Sequence, residues 1–312
     1  MKIAFAGLGV MGGPMAGHLV KAGHAVTGFN RSPDKARAWA EKTGGAFAPT
    51  VAEAAAGAEL FILCVGNDDD VRQVVSEALP HLAQGGIVVD HTTTSATVAR
   101  EMAALAGEGG RAFIDAPVSG GQAGAENGQL TVMTGGDAAA FARVEPVLAA
   151  YAKAMRLMGP AGSGQLTKMV NQICIAGVVQ GLAEAVHFAQ NAGLEPEAVH
   201  AAISKGAAQS WQMDNRWATM SRGEFDFGFA VDWMRKDLGL VLDEARANGS
   251  HLAVTALVDQ FYSEVQAMGG NRWDTSSLAA RLQTKTREPP RPCGRCGGRW
   301  CGSSSFVVCS GG

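Results

Sequence analysis

Cysteine is nearly absent from most of this 312-residue chain. Residues 1–292 carry only Cys64 and Cys174, each inside an apolar run, so no disulfide framework is expected there and both read as reduced core residues. Charge is sparse too. Asp, Glu, Lys and Arg make up 18% of the chain, and a net charge of −3 gives no reason to expect nucleic acid as a partner. Uninterrupted apolar runs of membrane length are lacking. The best candidate, "GSGQLTKMVNQICIAGVVQGLAEAV" from Gly162, is broken by Asn171, Gln172, Gln180 and Glu184 and reads as a buried helix rather than a membrane span. Met1 leads straight into "KIAFAGLGV", without a charged n-region or cleavage site, so no signal peptide and a cytoplasmic location are expected. The seven histidines show neither HExxH nor clustered spacing, and no catalytic metal is expected.

What is present is glycine, 41 residues of it without a collagen-like period, and 47% apolar residues, enough for two packed domains. In the first half, β-type runs at 2–8, 25–30, 59–65, 86–92, 111–118, 129–136 and 154–159 alternate with helical patterns at 11–22, 33–43, 68–79 and 95–107. Alternation of this kind, with nearly continuous apolar strands, predicts an α/β fold built on a parallel, doubly wound sheet over residues 1–161. Helical patterns alone run from 162 to 284, predicting a second, all-helical domain. From 285 to 312 the texture changes again, to "KTREPPRPCGRCGGRWCGSSSFVVCSGG", with five basic residues against Glu288 and four cysteines. Cys293-x-x-Cys296 lacks a second CxxC or a histidine partner for zinc, so this segment reads as a tail foreign to the fold.

The first strand runs into Gly7-Leu8-Gly9-Val10-Met11-Gly12 and a helix follows. A GxGxxG pattern alone is a weak signal, but here it stands between a strand and a helix, where Gly7 permits the turn, Gly9 lets a pyrophosphate approach the backbone and Gly12 allows close packing. The phosphates then meet the unpaired amides of the helix N-terminus. At the end of the second strand stands Asn30-Arg31-Ser32 rather than an acidic residue. A carboxylate there would repel a 2′-phosphate, whereas Arg31 pairs with one and Asn30 or Ser32 hydrogen-bonds it, so NADP is the favoured cofactor and NAD the alternative. An exposed loop arginine is the competing reading of Arg31. Cys64 and Val65 end a strand at the same crevice, where backbone contact to the cofactor ribose is expected.

Four stretches, "GLGVMGGPMAGHL" (7–19), "DAPVSGGQAGAENGQLTVMTGG" (115–136), "GSGQLTKMVNQ" (162–172) and "KDLGLVLDEA" (236–245), together resemble the β-hydroxyacid dehydrogenase family, which includes 3-hydroxyisobutyrate dehydrogenases and related semialdehyde and glyoxylate reductases. The resemblance covers about residues 1–282. It implies a Rossmann domain joined by a long helix to a helical domain, with the active site between them. It places Lys168 at the family's catalytic lysine, a role that suits an ammonium beside a carbonyl: it stabilises developing negative charge and donates a proton. Asn171 and Gln172, three and four residues on, share the face of Lys168. Asn171 is the candidate for orienting the ammonium or the substrate, and Gln172 for touching substrate. The family often has a second asparagine at Gln172, which leaves open which amide makes that contact. The resemblance assigns Ser119, Gly120 and Gly121 to the substrate carboxylate, Thr93 to the nicotinamide end of the cofactor, and Lys236 to a second lysine near cofactor and substrate. His91, where the family usually has a small hydroxyl residue, reads as a local substitution. Trp211, Phe227 and Phe229 are candidates for the pocket wall that helical aromatics in a core explain equally well.

The expected function is an NAD(P)-dependent dehydrogenase or reductase of a small 3-hydroxy acid, with a small carboxylate-bearing substrate and a homodimer or homotetramer as its assemblies. A semialdehyde or glyoxylate reductase of the same family is the near alternative. An imine reductase on the same fold, or a non-catalytic cofactor-binding scaffold, is opposed by Lys168, which such relatives tend to lose.

Overall fold

The computed structural model describes residues 1–282, which form one compact unit. The expected tail, with its four cysteines, lies outside the described residues. In chain order the elements are β1 (Lys2–Ala6), α1 (Gly12–Lys21), β2 (Ala25–Phe29), α2 (Pro33–Thr43), β3 (Ala46–Phe47), α3 (Val51–Ala55), β4 (Leu60–Leu63), α4 (Asp68–Ala78), β5 (Ile87–Asp90), α5 (Ala96–Glu108), β6 (Ala112–Asp115), β7 (Val118–Ser119), α6 (Gly121–Glu126), β8 (Leu130–Gly136), α7 (Ala138–Leu148) and β9 (Ala152–Gly159). Helices alone follow: α8 (Ser163–Asn191), α9 (Pro196–Ile203), α10 (Trp211–Arg222), α11 (Val231–Asn248), α12 (Ala253–Ala267) and α13 (Leu278–Leu282).

The sheet order is β3-β2-β1-β4-β5-β6-β8-β7, with β9 on β8. Its central strands β1, β4 and β5 are apolar on both faces because each face is covered. Ile3 and Phe5 of β1, Leu60 and Ile62 of β4 and Ile87 and Val89 of β5 enter one core with Met15 and Leu19 of α1, Trp39 of α2 and Val144 of α7. The alternating residues Ala4, Phe61, Leu63 and Val88 enter a second core with Val51 of α3, Val71 and Val75 of α4 and Val98 of α5. A period of two along each strand therefore splits the apolar residues between two helix layers, which is the doubly wound arrangement.

The sheet is parallel from β3 to β6, as expected, and beyond β6 the pairing direction changes. β8 runs antiparallel to both β6 and β7. The connection from Gly120 to Gln129 is shorter than the roughly dozen residues a parallel crossover needs, so the chain turns back on itself. Parallel pairing resumes between β8 and β9, which the helix α7 connects.

α8 is long and apolar enough by composition to cross a membrane. Its Ala176, Val179, Leu182, Ala183 and Val186 nevertheless pack into a third core with Trp217 of α10, Leu238 of α11, Tyr262 of α12 and Leu278 of α13. Its first turns lie against the sheet, so one helix links the strand-bearing half to the helical half.

Candidate active site

The glycines of the first turn have three different physical roles. Gly7 has φ +93° and lies against the Cys64 carbonyl, while its amide donates to Phe29 O at 2.9 Å. A side chain at Gly12 would collide with the Gly7 carbonyl, so only glycine lets α1 approach β1. A Cβ at Gly9 would meet nothing within 4 Å among the described residues. Gly9 is thus not needed for packing; its bareness leaves the space over the turn open. Behind that space, α1 has Met11 at its N-cap, with no side-chain cap and no acidic residue in the first turn. α4 shows the contrast, with Asn67 capping it and Asp68, Asp69 and Asp70 in its first turn. The open cradle with free amides and the positive end of a helix dipole fits the pyrophosphate of a dinucleotide. Leu8 turns into the core, Met11 is half-buried, and Val10 is exposed at the rim.

Asn30 braces this turn from the end of β2. Its Oδ1 accepts the Leu8 amide at 3.1 Å and its Nδ2 donates to Ser32 O at 3.3 Å. Ser32 occupies the N-cap position of α2 without a side-chain hydrogen bond there. The Arg31 side chain reaches across to Asp70, Nη1 to Oδ1 at 3.3 Å. Beyond β4, the Cys64 amide donates to Ala6 O, and the Val65 amide donates to the Thr92 hydroxyl at 3.0 Å. Burial, with the nearby Asp90 adding to it, pushes the Cys64 thiol up to about 12, so it is not a thiolate nucleophile.

Lys168 lies at the second turn of α8, and residues outside that helix fix the helix end. Gly162, at its N-cap, has φ +92° and no side chain. The cap comes instead from Asp115 at the end of β6, whose Oδ1 accepts the Gly162 amide at 2.8 Å and Oδ2 the Gln165 amide at 2.9 Å. Gln165 in turn clips the loop after β5, donating to Thr92 O at 2.7 Å and accepting from the Thr94 amide at 3.0 Å. From this anchored turn the Lys168 ammonium, 7% exposed, donates to Val118 O at 2.9 Å. Desolvation lowers its pKa from the ordinary lysine value, Asp237 opposes that, and Lys236 adds to it.

The amides beside Lys168 form a chain of their own. Asn171 Nδ2 donates to Gln172 Oε1 at 2.8 Å, and Gln172 Nε2 donates to Asp237 Oδ2 at 2.8 Å. Gln172 is buried with both ends of its amide engaged, while Asn171 remains half-buried. Lys236, on α11, crosses to the sheet half and donates to Thr93 O at 2.6 Å, with Gly66 O at 3.4 Å and the Asp237 carboxylate at 3.3 Å. Burial raises the Asp237 pKa, and the two lysines oppose that rise. Two ammonium groups against one carboxylate give this cluster an excess of positive charge, suited to an anionic ligand. An open cleft of about 300 Å³ runs past Thr93, Lys236 and Asn67.

Ser119 ends β7, one residue beyond the carbonyl that holds Lys168. Gly120 and Gly121, at φ +130° and +60°, then turn the chain outward, both exposed and with Ser119 half-buried. The geometry thus gathers Ser119, Lys168, Asn171 and Gln172 on one side and Thr93, Lys236 and Val65 on the other. Trp211 lies exposed beside Arg216, which also covers Phe227.

His91 is buried within the sheet. Nδ1 lies 2.6 Å from Ala116 O and Nε2 2.7 Å from the Tyr151 hydroxyl. The carbonyl can only accept, so the proton is on Nδ1 and Nε2 takes the tyrosine proton. Desolvation drops its pKa to about 4, keeping the ring neutral and structural. Asp90, next to it, is fully buried, accepts from the Thr92 amide at 2.8 Å and is pushed up to about 7 by desolvation. Reading residue types singly did not bring out Asp115, Gln165 or Asp237, although all three lie inside the quoted family stretches. Among the described residues, no group of three or more His, Cys, Asp or Glu is arranged to hold a metal.

Residues 2–159 match the family described as the NAD-binding domain of 6-phosphogluconate dehydrogenase. Residues 162–282 match the one described as NAD-binding of NADP-dependent 3-hydroxyisobutyrate dehydrogenase. The chain is 66% identical to an uncharacterized oxidoreductase of Shewanella frigidimarina, over 90% of this chain and 98% of that one. It is 33% identical to a 2-hydroxy-3-oxopropionate reductase of Escherichia coli, over 91% and 97% respectively. Among solved structures, a Mycobacterium tuberculosis 3-hydroxyisobutyrate dehydrogenase with L-serine superposes with a TM-score of 0.83 at 33% identity, covering 90% of this chain and 99% of that one.

Proposed function

Since this chain belongs to the β-hydroxyacid dehydrogenase family, and is an NAD(P)-dependent oxidoreductase acting on a CH–OH group, we propose that it interconverts a small 3-hydroxy acid of the 3-hydroxyisobutyrate type and its semialdehyde. The observation that carries the proposal is the hydrogen bond from Lys168 to Val118 O, one residue before Ser119. The bond keeps the Lys168 ammonium beside the Ser119–Gly121 loop, which supports a reading in which the lysine serves the hydroxyl end and the loop the carboxylate end of a short hydroxy acid. L-serine, named with the mycobacterial structure, has the same two groups on adjacent carbons.

In this reading residues 1–161 carry the cofactor and residues 162–284 supply the acid/base. A nicotinamide cofactor held there would supply hydride-transfer chemistry. Lys168 transfers the proton at the substrate oxygen and stabilises its negative charge in the transition state. Ser119, Gly120 and Gly121 bind the carboxylate with hydroxyl and backbone amides. Asn171 orients the ammonium or substrate, and Gln172, with its amide already engaged, positions Asn171 from behind. Gly7, Leu8, Gly9, Val10, Met11 and Gly12 cradle the pyrophosphate, and Cys64 and Val65 border the ribose. Thr93 and Lys236 border the nicotinamide end. Arg31, with Asn30 and Ser32, gives NADP preference over NAD. A cytoplasmic location and a homodimer or homotetramer complete the proposal. The Escherichia coli relative supports a second reading, reduction of a hydroxylated semialdehyde by the same residues.

Steady-state kinetics on Lys168→Ala test the assignment. Turnover falls by at least about 10²-fold, in the range of general acid–base effects, while cofactor binding persists. Near-normal turnover would remove Lys168 from the mechanism.

A further inference from the structure

We infer that Asp70 is a specificity-determining residue for the 2′ position of the cofactor: it holds the Arg31 guanidinium, and a 2′-phosphate must take Arg31 from it. The inference rests on the proposed role of Arg31. In the sheet β1 lies between β2 and β4. Arg31 lies in the loop after β2 and Asp70 in the first turn of α4, which follows β4, so their ion pair at 3.3 Å links the segments on either side of the glycine turn that follows β1.

The two partners are unequal. The Asp70 side chain is 19% exposed and that of Arg31 is 82% exposed. Asp70 is held by its own surroundings, with Oδ2 accepting the Gly66 amide at 3.1 Å and its own amide donating to Asn67 Oδ1 at 2.9 Å. Among the described residues, the Arg31 side chain makes no hydrogen bond besides the one to Asp70. The carboxylate is therefore the fixed post and the arginine the moving arm.

A 2′-phosphate offers Arg31 a stronger, bidentate, charge-assisted partner than one carboxylate oxygen. A ribose with a free 2′-hydroxyl offers nothing comparable, so Arg31 stays on Asp70. Asp70 thus subtracts from affinity for the phosphorylated cofactor without acting on the other. Its effect is bounded by what an exposed pair is worth, about two- to fivefold in binding.

Calorimetric titration at pH 7 with adenosine 2′,5′-bisphosphate and adenosine 5′-monophosphate tests this on the parent, Asp70→Asn, Arg31→Gln and the double variant. Asp70→Asn is nearly isosteric and keeps an acceptor for the Gly66 amide, so the loop is retained. We expect Arg31→Gln to weaken the bisphosphate about tenfold, equivalent to one charge-assisted contact, and to leave the monophosphate unchanged. Asp70→Asn strengthens the bisphosphate two- to fivefold, and that gain disappears when Arg31 is also replaced. If Arg31→Gln leaves the bisphosphate unchanged, the role of Arg31 falls and the Asp70 inference with it. If Arg31→Gln weakens it but Asp70→Asn gives no gain, or a gain that survives in the double variant, the Asp70 inference alone is overturned.

Discussion

Asp115 caps α8 from outside that helix, with the Gln165 amide 2.9 Å from its Oδ2. The carboxylate at the end of β6 thereby fixes the turn immediately before Lys168. Replacing Asp115 with alanine leaves the Gly162 and Gln165 amides buried without an acceptor. A loss of about 1–3 kcal/mol in unfolding free energy is expected. The freed helix end moves Lys168 relative to Ser119, so turnover drops as well. Asp115→Asn keeps one oxygen acceptor and loses less of both. Thermal unfolding and turnover, measured on the two variants, check the ordering; an alanine variant as stable as the parent would show that α8 is capped some other way.

Gly9 and Gly12 lie three residues apart in the same motif, yet their substitution has opposite expected consequences. A methyl group at Gly9 enters open space, so Gly9→Ala keeps its folding stability to within about 0.5 kcal/mol. It fills the cradle, and dinucleotide affinity falls about tenfold or more, on the order of 1.4 kcal/mol. A methyl at Gly12 strikes the Gly7 carbonyl, and Gly12→Ala loses about 1–3 kcal/mol of stability. Denaturant unfolding and cofactor titration on both variants separate the two roles. A Gly9→Ala protein that binds cofactor normally would show that the phosphates rest elsewhere.

The alternation of strands and helices made the sheet legible in the sequence because a buried parallel strand is apolar throughout. It also located β8 but not its antiparallel direction, since pairing direction depends on the length and path of the connection and not on strand composition. The short strands β3 and β7 were invisible for another reason: two residues set no period. Among site residues, Lys168 stood out as a charge in an apolar run. Asp115, Gln165 and Asp237 did not, because the contacts that matter reach far along the chain, from Asp115 to Gly162, from Gln165 to Thr92 and from Asp237 to Gln172. Gln172 was expected at the substrate from helical spacing. That spacing places its Cα on the face of Lys168, but the longer side chain reaches Asp237 on α11.

Asp237 also acts on the Lys168 ammonium. With Lys168 as the proposed proton donor, reduction requires it to be protonated, so the rate declines as pH rises through its pKa. Burial places that decline below the ordinary lysine value of 10.5, and the Asp237 carboxylate partly restores it. Asp237→Asn deletes that negative charge while Asn still offers Gln172 an acceptor. The alkaline limb of kcat for reduction then moves to lower pH, because the charge that opposes the desolvation of Lys168 is gone. Lys168→Ala loses the limb altogether along with most activity, which identifies the titrating group. An unmoved limb in Asp237→Asn would mean that the Asp237 carboxyl is already neutral during turnover, and a limb moved upward would contradict its assignment as the charge that supports the ammonium.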